Sequence, residues 1–265
     1  IYNNYPHKIT VPQQPILVLS EHEVDEVKAF ALQHQLQNFK KVILIECGPD
    51  SFTSALNPLS ARDMAETLVN ENPGIACILS SNKKIHTPTP QIIDGSVLNF
   101  RANAALTHYC HLFIGCSSGI SWITTTQSAK PLQKIIIINP ADYYTSSMVH
   151  DHEWSGLPTT DIIEMHTQNN VLTLVAEATQ LILYGNFVAA KNKYHKHFKL
   201  QNYKYVYHQT KEWLSRKDFA APAKAWQRTS QRNGFTLSSL LNLIKGYIKF
   251  PFSSLEKKKT IRPKR

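Results

Sequence analysis

The stretch that decides the fold is "LFIGCSSGISWITTTQSAKP", from Leu112 to Pro131. It runs from an apolar strand through a turn of small residues into a helix, and it ends in a Lys-Pro turn. A phosphate group approaching such a turn needs backbone N–H groups with no side chain in the way, and serine hydroxyls add donors. A tight turn that only caps its helix has the same composition, so both interpretations stay open here. The small residues are Gly115, Ser117, Ser118, Gly119 and Ser121.

Short, fully apolar strands alternate with helical patterns on both sides of this stretch. "KKVILIECG" and "IACILSS" precede it, "KIIIINP" follows it, and amphipathic patterns cover 59–70 and 169–185. This alternation predicts an α/β fold, a Rossmann-like parallel sheet with helices on both faces. Ligands of such sheets bind beyond the carboxyl ends of the strands. The loops expected there, "CGPDSFTS", "GCSSGIS" and "NPADYYTSS", are rich in small or polar residues.

Composition and charge limit the class of protein. A hydrophobic content of 42% argues against global disorder, and no run of 18 or more apolar residues predicts a membrane-spanning helix. No secretory signal is recognisable near Ile1, so the expected location is the cytoplasm. Four cysteines without metal-type spacing are expected to be free thiols, and no metal site is predicted. They are Cys47, Cys77, Cys110 and Cys116.

The net charge of +10 is concentrated in one part of the chain. Residues 1–185 carry 10 Lys and Arg against 16 Asp and Glu, whereas residues 186–265 carry 19 against 3. The sequence therefore predicts a linker over 1–14, a Rossmann-like nucleotide-sugar-binding domain over 15–185, and a basic helical extension with a disordered tail over 186–265. Because the chain begins without methionine, it is interpreted as a fragment.

The segment from Leu98 to Pro140 resembles the nucleotide-binding half of the lipopolysaccharide heptosyltransferase (ADP-heptose transferase-like) family, which has the GT-B fold. In that family a helix and a strand lead into an Asp-Ser-Gly turn, followed by a histidine, a proline turn and a further strand and loop. The segments that match these features in order are 103–106, 111–115, 117–119, 129–131 and 139–140. With "PILVLSEHEVDEV…VILIECGPDSF" upstream, the resemblance covers roughly 15–185.

The resemblance implies that a nucleotide diphosphate sugar binds as donor substrate, with no separate cofactor. Ser117 replaces the family's Asp, Trp122 stands where its His would be, and the loop after the first strand lacks its Lys, for which Arg62 is a substitute. The family's N-terminal domain binds the acceptor and supplies the catalytic base, so no catalytic residue is named in this chain. The donor-binding residues implied are Gly48, Asp50, Ser51, Gly115, Ser117, Ser118, Gly119, Trp122 and Asn139.

Two further motifs have more than one interpretation. In "VHDHEW", His150 and His152 would share one face of a strand and could bind a metal, but a solvated loop is the preferred interpretation. In the C-terminal region an apolar helical face lies beside lysines, which suits an anionic membrane surface or packing on the N-terminal domain of a GT-B fold. The basic and aromatic residues form no recognised nucleic-acid-binding module, so no nucleic acid partner is expected. The apolar face comprises Leu237, Leu240, Leu241, Ile244, Tyr247 and Ile248.

Taken together, the sequence predicts a fragment of a GT-B type glycosyltransferase. It would transfer a sugar from a nucleotide diphosphate sugar to a glycan or glycolipid acceptor of the bacterial cell surface, such as lipopolysaccharide. Its partners would include the missing N-terminal acceptor domain, and its location would be cytoplasmic, with peripheral attachment to the inner face of the membrane. Two alternatives remain: a non-catalytic, degenerate Rossmann-like binding or scaffold domain, and a sugar-nucleotide epimerase.

Overall fold

The computed structural model describes residues 11–47, 56–87, 89–138, 147–166 and 170–196, together with Leu241 and Ile244. Its helices are α1 (Glu21–Gln33), α2 (Pro58–Glu71), α3 (Ala102–Leu106), α4 (Gly119–Ile123), α5 (Met148–Trp154), α6 (Val171–Leu183) and α7 (Phe187–Tyr194). Its strands are β1 (Lys41–Glu46), β2 (Ile75–Ser80), β3 (Ile92–Asp94), β4 (Leu112–Gly115), β5 (Gln133–Ile138) and β6 (Ile162–His166). Short 3-10 turns cover Leu36–Asn38 and Thr107–Tyr109.

The six strands form one parallel sheet in the order β3-β2-β1-β4-β5-β6. Successive β1 side chains point to opposite faces of the sheet and are buried on both. Ile43 and Ile45 pack in the cluster that contains buried residues of α2, α6 and α7. Val42 and Leu44 pack in the cluster that contains residues of α1 and α3. The predicted α/β architecture, a parallel sheet covered on both faces, is confirmed.

Two helices begin where the sequence places suitable capping residues. Ser20 accepts a hydrogen bond from the Glu23 backbone N–H, and the Glu23 carboxylate accepts one from the Ser20 N–H, which caps α1. The Glu23 carboxylate also pairs with Arg101, at 2.5 Å between Oε1 and Nε. These contacts hold the pKa of Glu23 at about 2, chiefly through the Arg101 guanidinium. Arg101 thereby ties the start of α1 to the segment that leads into α3.

Asn57 caps helix α2 in the same way. Its side-chain oxygen accepts hydrogen bonds from the backbone N–H groups of Leu59 and Ser60, at 3.0 and 2.9 Å. We expect Asn57→Ala to lower the free energy of unfolding by about 1 kcal/mol, because both N–H groups lose their acceptor. Asn57→Ser, which keeps a capping oxygen, should recover most of that loss in urea unfolding. Equal stability of the alanine variant and the parent chain would contradict this role.

Two local predictions are wrong. The helix predicted over "ISWITTTQSA" ends at Ile123, because the hydroxyls of Thr124, Thr125 and Thr126 donate to carbonyls three residues back and compete with further helical bonds. "VHDHEW" is neither a strand nor a solvated loop but part of α5, and the His152 side chain is buried in it. Residues two apart on a helix do not face the same side, so this motif does not present two imidazoles together.

The chain divides into two compact units, Ile9–Phe198 and a second unit made of Ile1–Lys8 and Lys199–Arg265. Helix α6 is followed, after its C-cap Tyr184, by a glycine in the left-handed conformation, Gly185 with φ of 80°. Beyond the predicted domain end at 185, helix α7 still packs in the sheet core, since Phe187, Ala190 and Tyr194 are buried there.

The predicted amphipathic face over 237–248 lies outside the described residues except for Leu241 and Ile244, which are helical and exposed. No helix among the described residues is long and apolar enough to cross a membrane.

Candidate ligand-binding crevice

A crevice of about 530 Å³ opens at the carboxyl ends of the central strands. It lies where the strand order reverses between β1 and β4, the position at which open parallel sheets bind ligands. Its volume falls in the range of small-molecule sites, roughly 300–1,000 Å³. The lining residues come from the ends of β1 and β2, from 96–100, from α3 and from the start of α4: Glu46, Cys47, Ser80, Ser81, Asn82, Ser96, Leu98, Asn99, Phe100, Asn103, Ser118, Gly119 and Ile120.

The principal charged group of the crevice is Glu46, the last residue of β1. Its side chain is 2% exposed, and its carboxyl accepts hydrogen bonds from the Ser118 hydroxyl and from the Cys116 backbone N–H, the latter at 3.3 Å. Burial raises the pKa of Glu46 to about 7, although the bonds from Ser118 and Cys116 oppose that shift. Near neutral pH this carboxyl therefore exists in both protonation states.

The turn of small residues is organised around Ser118, the N-cap of α4. Its hydroxyl accepts from the Ile120 N–H at 3.1 Å and donates to Glu46. The Ser118 N–H in turn donates to the Ser121 hydroxyl, which donates to the Ser118 carbonyl. These bonds, with the one from Cys116, engage polar groups that the sequence predicted to face a phosphate. Two of the donors, the Cys116 N–H and the Ser118 hydroxyl, have a carboxyl of the chain itself, that of Glu46, as their acceptor.

Two glycines of the turn allow close approach. A Cβ atom added at Gly115 would lie 2.6 Å from Phe113 Cζ and 2.7 Å from Glu46 Oε2. A Cβ atom at Gly119 would lie 2.7 Å from Cζ of Phe100, whose ring is half exposed beside the crevice. Gly115 is thus needed for Glu46 to reach the turn, and Gly119 lets the Phe100 ring lie against the start of α4.

The opposite side of the crevice is fixed by a buried amide. Asn103, on α3, accepts a hydrogen bond from the Ser80 hydroxyl at 2.8 Å. Its amide nitrogen donates to the Phe100 carbonyl at 3.1 Å. Asn103 thereby connects the end of β2 with the segment that carries Phe100, so that both lining segments keep a fixed position.

The sequence-predicted donor residues are only partly brought together. Ser118 and Gly119 line the crevice, and Gly115 lies so close to the Glu46 carboxyl that a Cβ atom added to it would be 2.7 Å from Oε2. Ser117 is partly exposed in the same turn but is not among the lining residues. Trp122 does not line the crevice either; its ring lies against that of His152, at 5.2 Å between centroids. The other predicted residues lie outside the described part of the chain: Gly48, Asp50, Ser51 and Asn139.

Sequence reasoning missed Glu46, Ser80, Asn103 and Phe100. A signal for Glu46 was present, since one carboxylate ends an otherwise apolar strand. Arg62, the suggested substitute for the family's lysine, is instead engaged by Asp63 and Glu66 on its own helix.

A second buried carboxyl, Glu164 on β6, has a similar local environment away from the crevice. It accepts hydrogen bonds from the Ser147 hydroxyl at 2.7 Å and the Val149 N–H at 2.9 Å, and burial raises its pKa. Ser147 is the N-cap of α5, as Ser118 is of α4. A buried glutamate thus accepts a hydrogen bond from the N-cap serine of each of two helices, and Glu164, in the middle of β6, offers an internal comparison for Glu46.

Among the residues that the structure describes, the remaining titratable candidates do not form a metal-binding cluster. The four cysteines are buried and form no disulfide, and burial raises the pKa of Cys47, Cys77 and Cys110 to about 12, so these three stay protonated. Within the described ranges, no group of three or more His, Cys, Asp or Glu side chains is placed to hold a metal ion.

Comparisons with models of protein families, with curated proteins and with solved structures found no match to this chain. The fold and the crevice define an α/β protein with a Rossmann-type strand order and a crevice at its reversal point.

Proposed function

We propose that the crevice binds a nucleotide diphosphate sugar and that the chain is the donor-binding half of a GT-B type glycosyltransferase. The observation that carries this proposal is the position of the crevice at the reversal between β1 and β4. Its volume accommodates a nucleoside, and it combines apolar surface from Phe100 and Leu98 with polar groups of Ser80, Asn82 and Ser118. An exposed aromatic ring beside hydrogen-bonding side chains suits a base and its ribose.

In this function the chain would hold the donor, and an acceptor-binding half would activate the acceptor hydroxyl. The acceptor class we propose is a bacterial surface glycan or glycolipid of the lipopolysaccharide type. Polar groups around the crevice would stabilise the negative charge that develops on the leaving nucleotide, an electrostatic role. The reaction would take place in the cytoplasm, at the inner face of the membrane, where the basic segment 186–265 would meet anionic lipid.

A second function, a non-catalytic binding or scaffold domain, is favoured by one observation. The Cys116 N–H and the Ser118 hydroxyl already donate to Glu46, so the turn does not hold these donors open for a diphosphate. A domain that binds a nucleoside without handling its phosphates would have this arrangement. Transfer of labelled sugar to a cell-envelope glycan would support the glycosyltransferase, whereas nucleoside binding without transfer by the complete protein would support the scaffold.

Occlusion of the crevice gives the sharpest test of binding. Ser96 lines the crevice, whereas its neighbour Val97 does not line it and is 76% exposed. We expect Ser96→Trp to fill the crevice and weaken binding of the best nucleotide sugar at least about tenfold, a loss of about 1.4 kcal/mol. Val97→Trp, which adds the same side chain to an exposed site, should leave the affinity unchanged.

Titration calorimetry with a panel of nucleoside diphosphates and nucleotide sugars provides the measurement. Thermal unfolding of both tryptophan variants shows whether they fold, since Ser96 also donates to Asp94 at 3.0 Å. No binding by any member of the panel to the parent chain would refute the donor-binding proposal. Equal losses of affinity in Ser96→Trp and Val97→Trp would mean that the ligand does not bind in the crevice.

A further inference from the structure

The position of Glu46 determines what kind of ligand group the floor of the crevice can accept. The carboxyl lies against the Cys116–Ser118 turn, where it accepts from the Cys116 N–H and the Ser118 hydroxyl. A phosphate bound at this turn would need the same donors. It would also be brought close to an ionised carboxylate in a region of low dielectric constant, where like charges repel strongly.

The same carboxyl still has acceptor capacity. A carboxylate offers about four acceptor positions. The contacts described use three of them, from the Ser118 hydroxyl, the Cys116 N–H and, at 3.8 Å, the Cys116 thiol. Glu46 lines the crevice, so the remaining capacity suits an O–H or N–H donor of a ligand.

No positive side chain offsets this charge among the described residues that line the crevice, because none of them is Lys, Arg or His. The other titratable lining group is Cys47, whose pKa burial raises to about 12, so that it stays neutral. Asp94 lies at the end of β3 and accepts from the Ser96 N–H and hydroxyl, both at 3.0 Å. The charges described around Glu46 are therefore negative or absent.

We propose that Glu46 is the specificity-determining residue of the crevice: it fills the Cys116–Ser118 turn as an internal anion, rejects phosphate there, and receives uncharged donors such as ribose or sugar hydroxyls. As a statement about the nucleotide sugar, this rests on the function proposed above. Glu46 would thereby orient the nucleotide sugar: the sugar or ribose reaches the Glu46 carboxyl, and the diphosphate lies away from the Cys116–Ser118 turn.

The test compares Glu46→Gln with Glu164→Gln at pH 8. Both replace a buried carboxyl that accepts a hydrogen bond from the N-cap serine of a helix by an amide of the same size, but only Glu46 lines the crevice. The first probe is inorganic pyrophosphate, measured by titration calorimetry. We expect Glu46→Gln to bind it at least tenfold more tightly than the parent chain, and Glu164→Gln to behave as the parent does. Equal pyrophosphate affinity in the parent and in Glu46→Gln would overturn the proposal.

A second arm needs no substitution and so does not depend on the folding of a variant. Sulfate keeps its charge between pH 6 and pH 8, whereas Glu46, with a pKa of about 7, loses its proton over this interval. Stabilisation of the parent chain by sulfate should be larger at pH 6, and Glu164→Gln should keep this dependence. Sulfate stabilisation that does not change with pH would contradict the proposal.

Uncharged nucleosides separate this inference from the proposed function. If the parent chain binds a nucleoside, Glu46→Gln should weaken that binding several-fold, because the protein loses one carboxylate oxygen that accepts a hydrogen bond from the ligand. If no nucleoside or nucleotide sugar binds while Glu46→Gln gains pyrophosphate, the proposed function fails and phosphate rejection by Glu46 stands. If a nucleotide sugar binds, but Glu46→Gln changes neither the affinity for pyrophosphate nor the affinity for the nucleoside, the proposed function stands and the inference about Glu46 fails.

Discussion

Replacing Glu46 by glutamine is expected to remove a pH dependence of stability worth roughly 2–3 kcal/mol between pH 5 and pH 8. Burial raises the pKa of Glu46 from 4.5 to about 7 in the folded chain. The folded state therefore binds the proton more tightly than the unfolded state. This contribution to the free energy of unfolding is fully present below pH 4.5 and is lost as the pH rises through 7. Glutamine does not titrate, so its variant lacks this slope.

Urea unfolding of the two chains at several pH values measures the difference. Other groups add slopes of their own: the pKa of Glu164 is raised and that of His152 is lowered, both by burial. These slopes are common to the parent and the variant, so they cancel in the comparison. Equal pH dependence of stability in the two chains would show that Glu46 does not titrate as its burial implies.

Ser118→Ala provides a matched control that keeps the carboxyl. The Ser118 hydroxyl donates to Glu46 and lowers its pKa, so its removal should raise that pKa further. The loss of stability with rising pH should then occur at a higher pH than in the parent chain. The variant also loses the N-cap of α4. This loss lowers the free energy of unfolding by about 1 kcal/mol at every pH.

Strands β1, β2, β4 and β5 could be predicted from the sequence because each is a short, largely apolar run, whereas β6, which contains Glu164 and His166, was not predicted. The β1 and β2 runs are buried almost throughout, which is the pattern of a parallel sheet covered on both faces. Helix α5 was missed because its sequence is polar and histidine-rich, and tertiary packing buries His152 and Asp151 against that local expectation. Helix α4 was predicted too long because three consecutive threonines bond back to their own turn.

The candidate site was harder to predict than the fold because it depends on strand pairing. The turn at 115–119 is visible in the sequence as a cluster of small residues. Its acceptor, Glu46, is about 70 residues away and reaches the turn only because β1 pairs with β4, with Ile45 opposite Ile114. The order of parallel strands is not encoded in local patterns. A phosphate was therefore predicted where the chain supplies its own carboxyl.

Gly115→Ala is expected to lower the free energy of unfolding by about 1–3 kcal/mol, the range for overpacking a buried site. The added methyl group would lie 2.6 Å from Phe113 Cζ and 2.7 Å from Glu46 Oε2. Phe113 is fully buried, and Glu46 is held by Ser118 and Cys116, so neither neighbour can move without losing contacts. The same displacement should weaken the bond from the Cys116 N–H to the Glu46 carboxylate.

Gly119→Ala, four residues along the chain, separates this effect from a general cost of adding a methyl group. Its Cβ would lie 2.7 Å from Phe100 Cζ, but that ring is 53% exposed and can move into solvent. Alanine also favours the helix that starts here, by up to about 1 kcal/mol relative to glycine. We therefore expect Gly119→Ala to be neutral or stabilising in urea unfolding while Gly115→Ala is destabilising. Similar losses in both variants would mean that close packing of Glu46 behind the turn is not what requires glycine at 115.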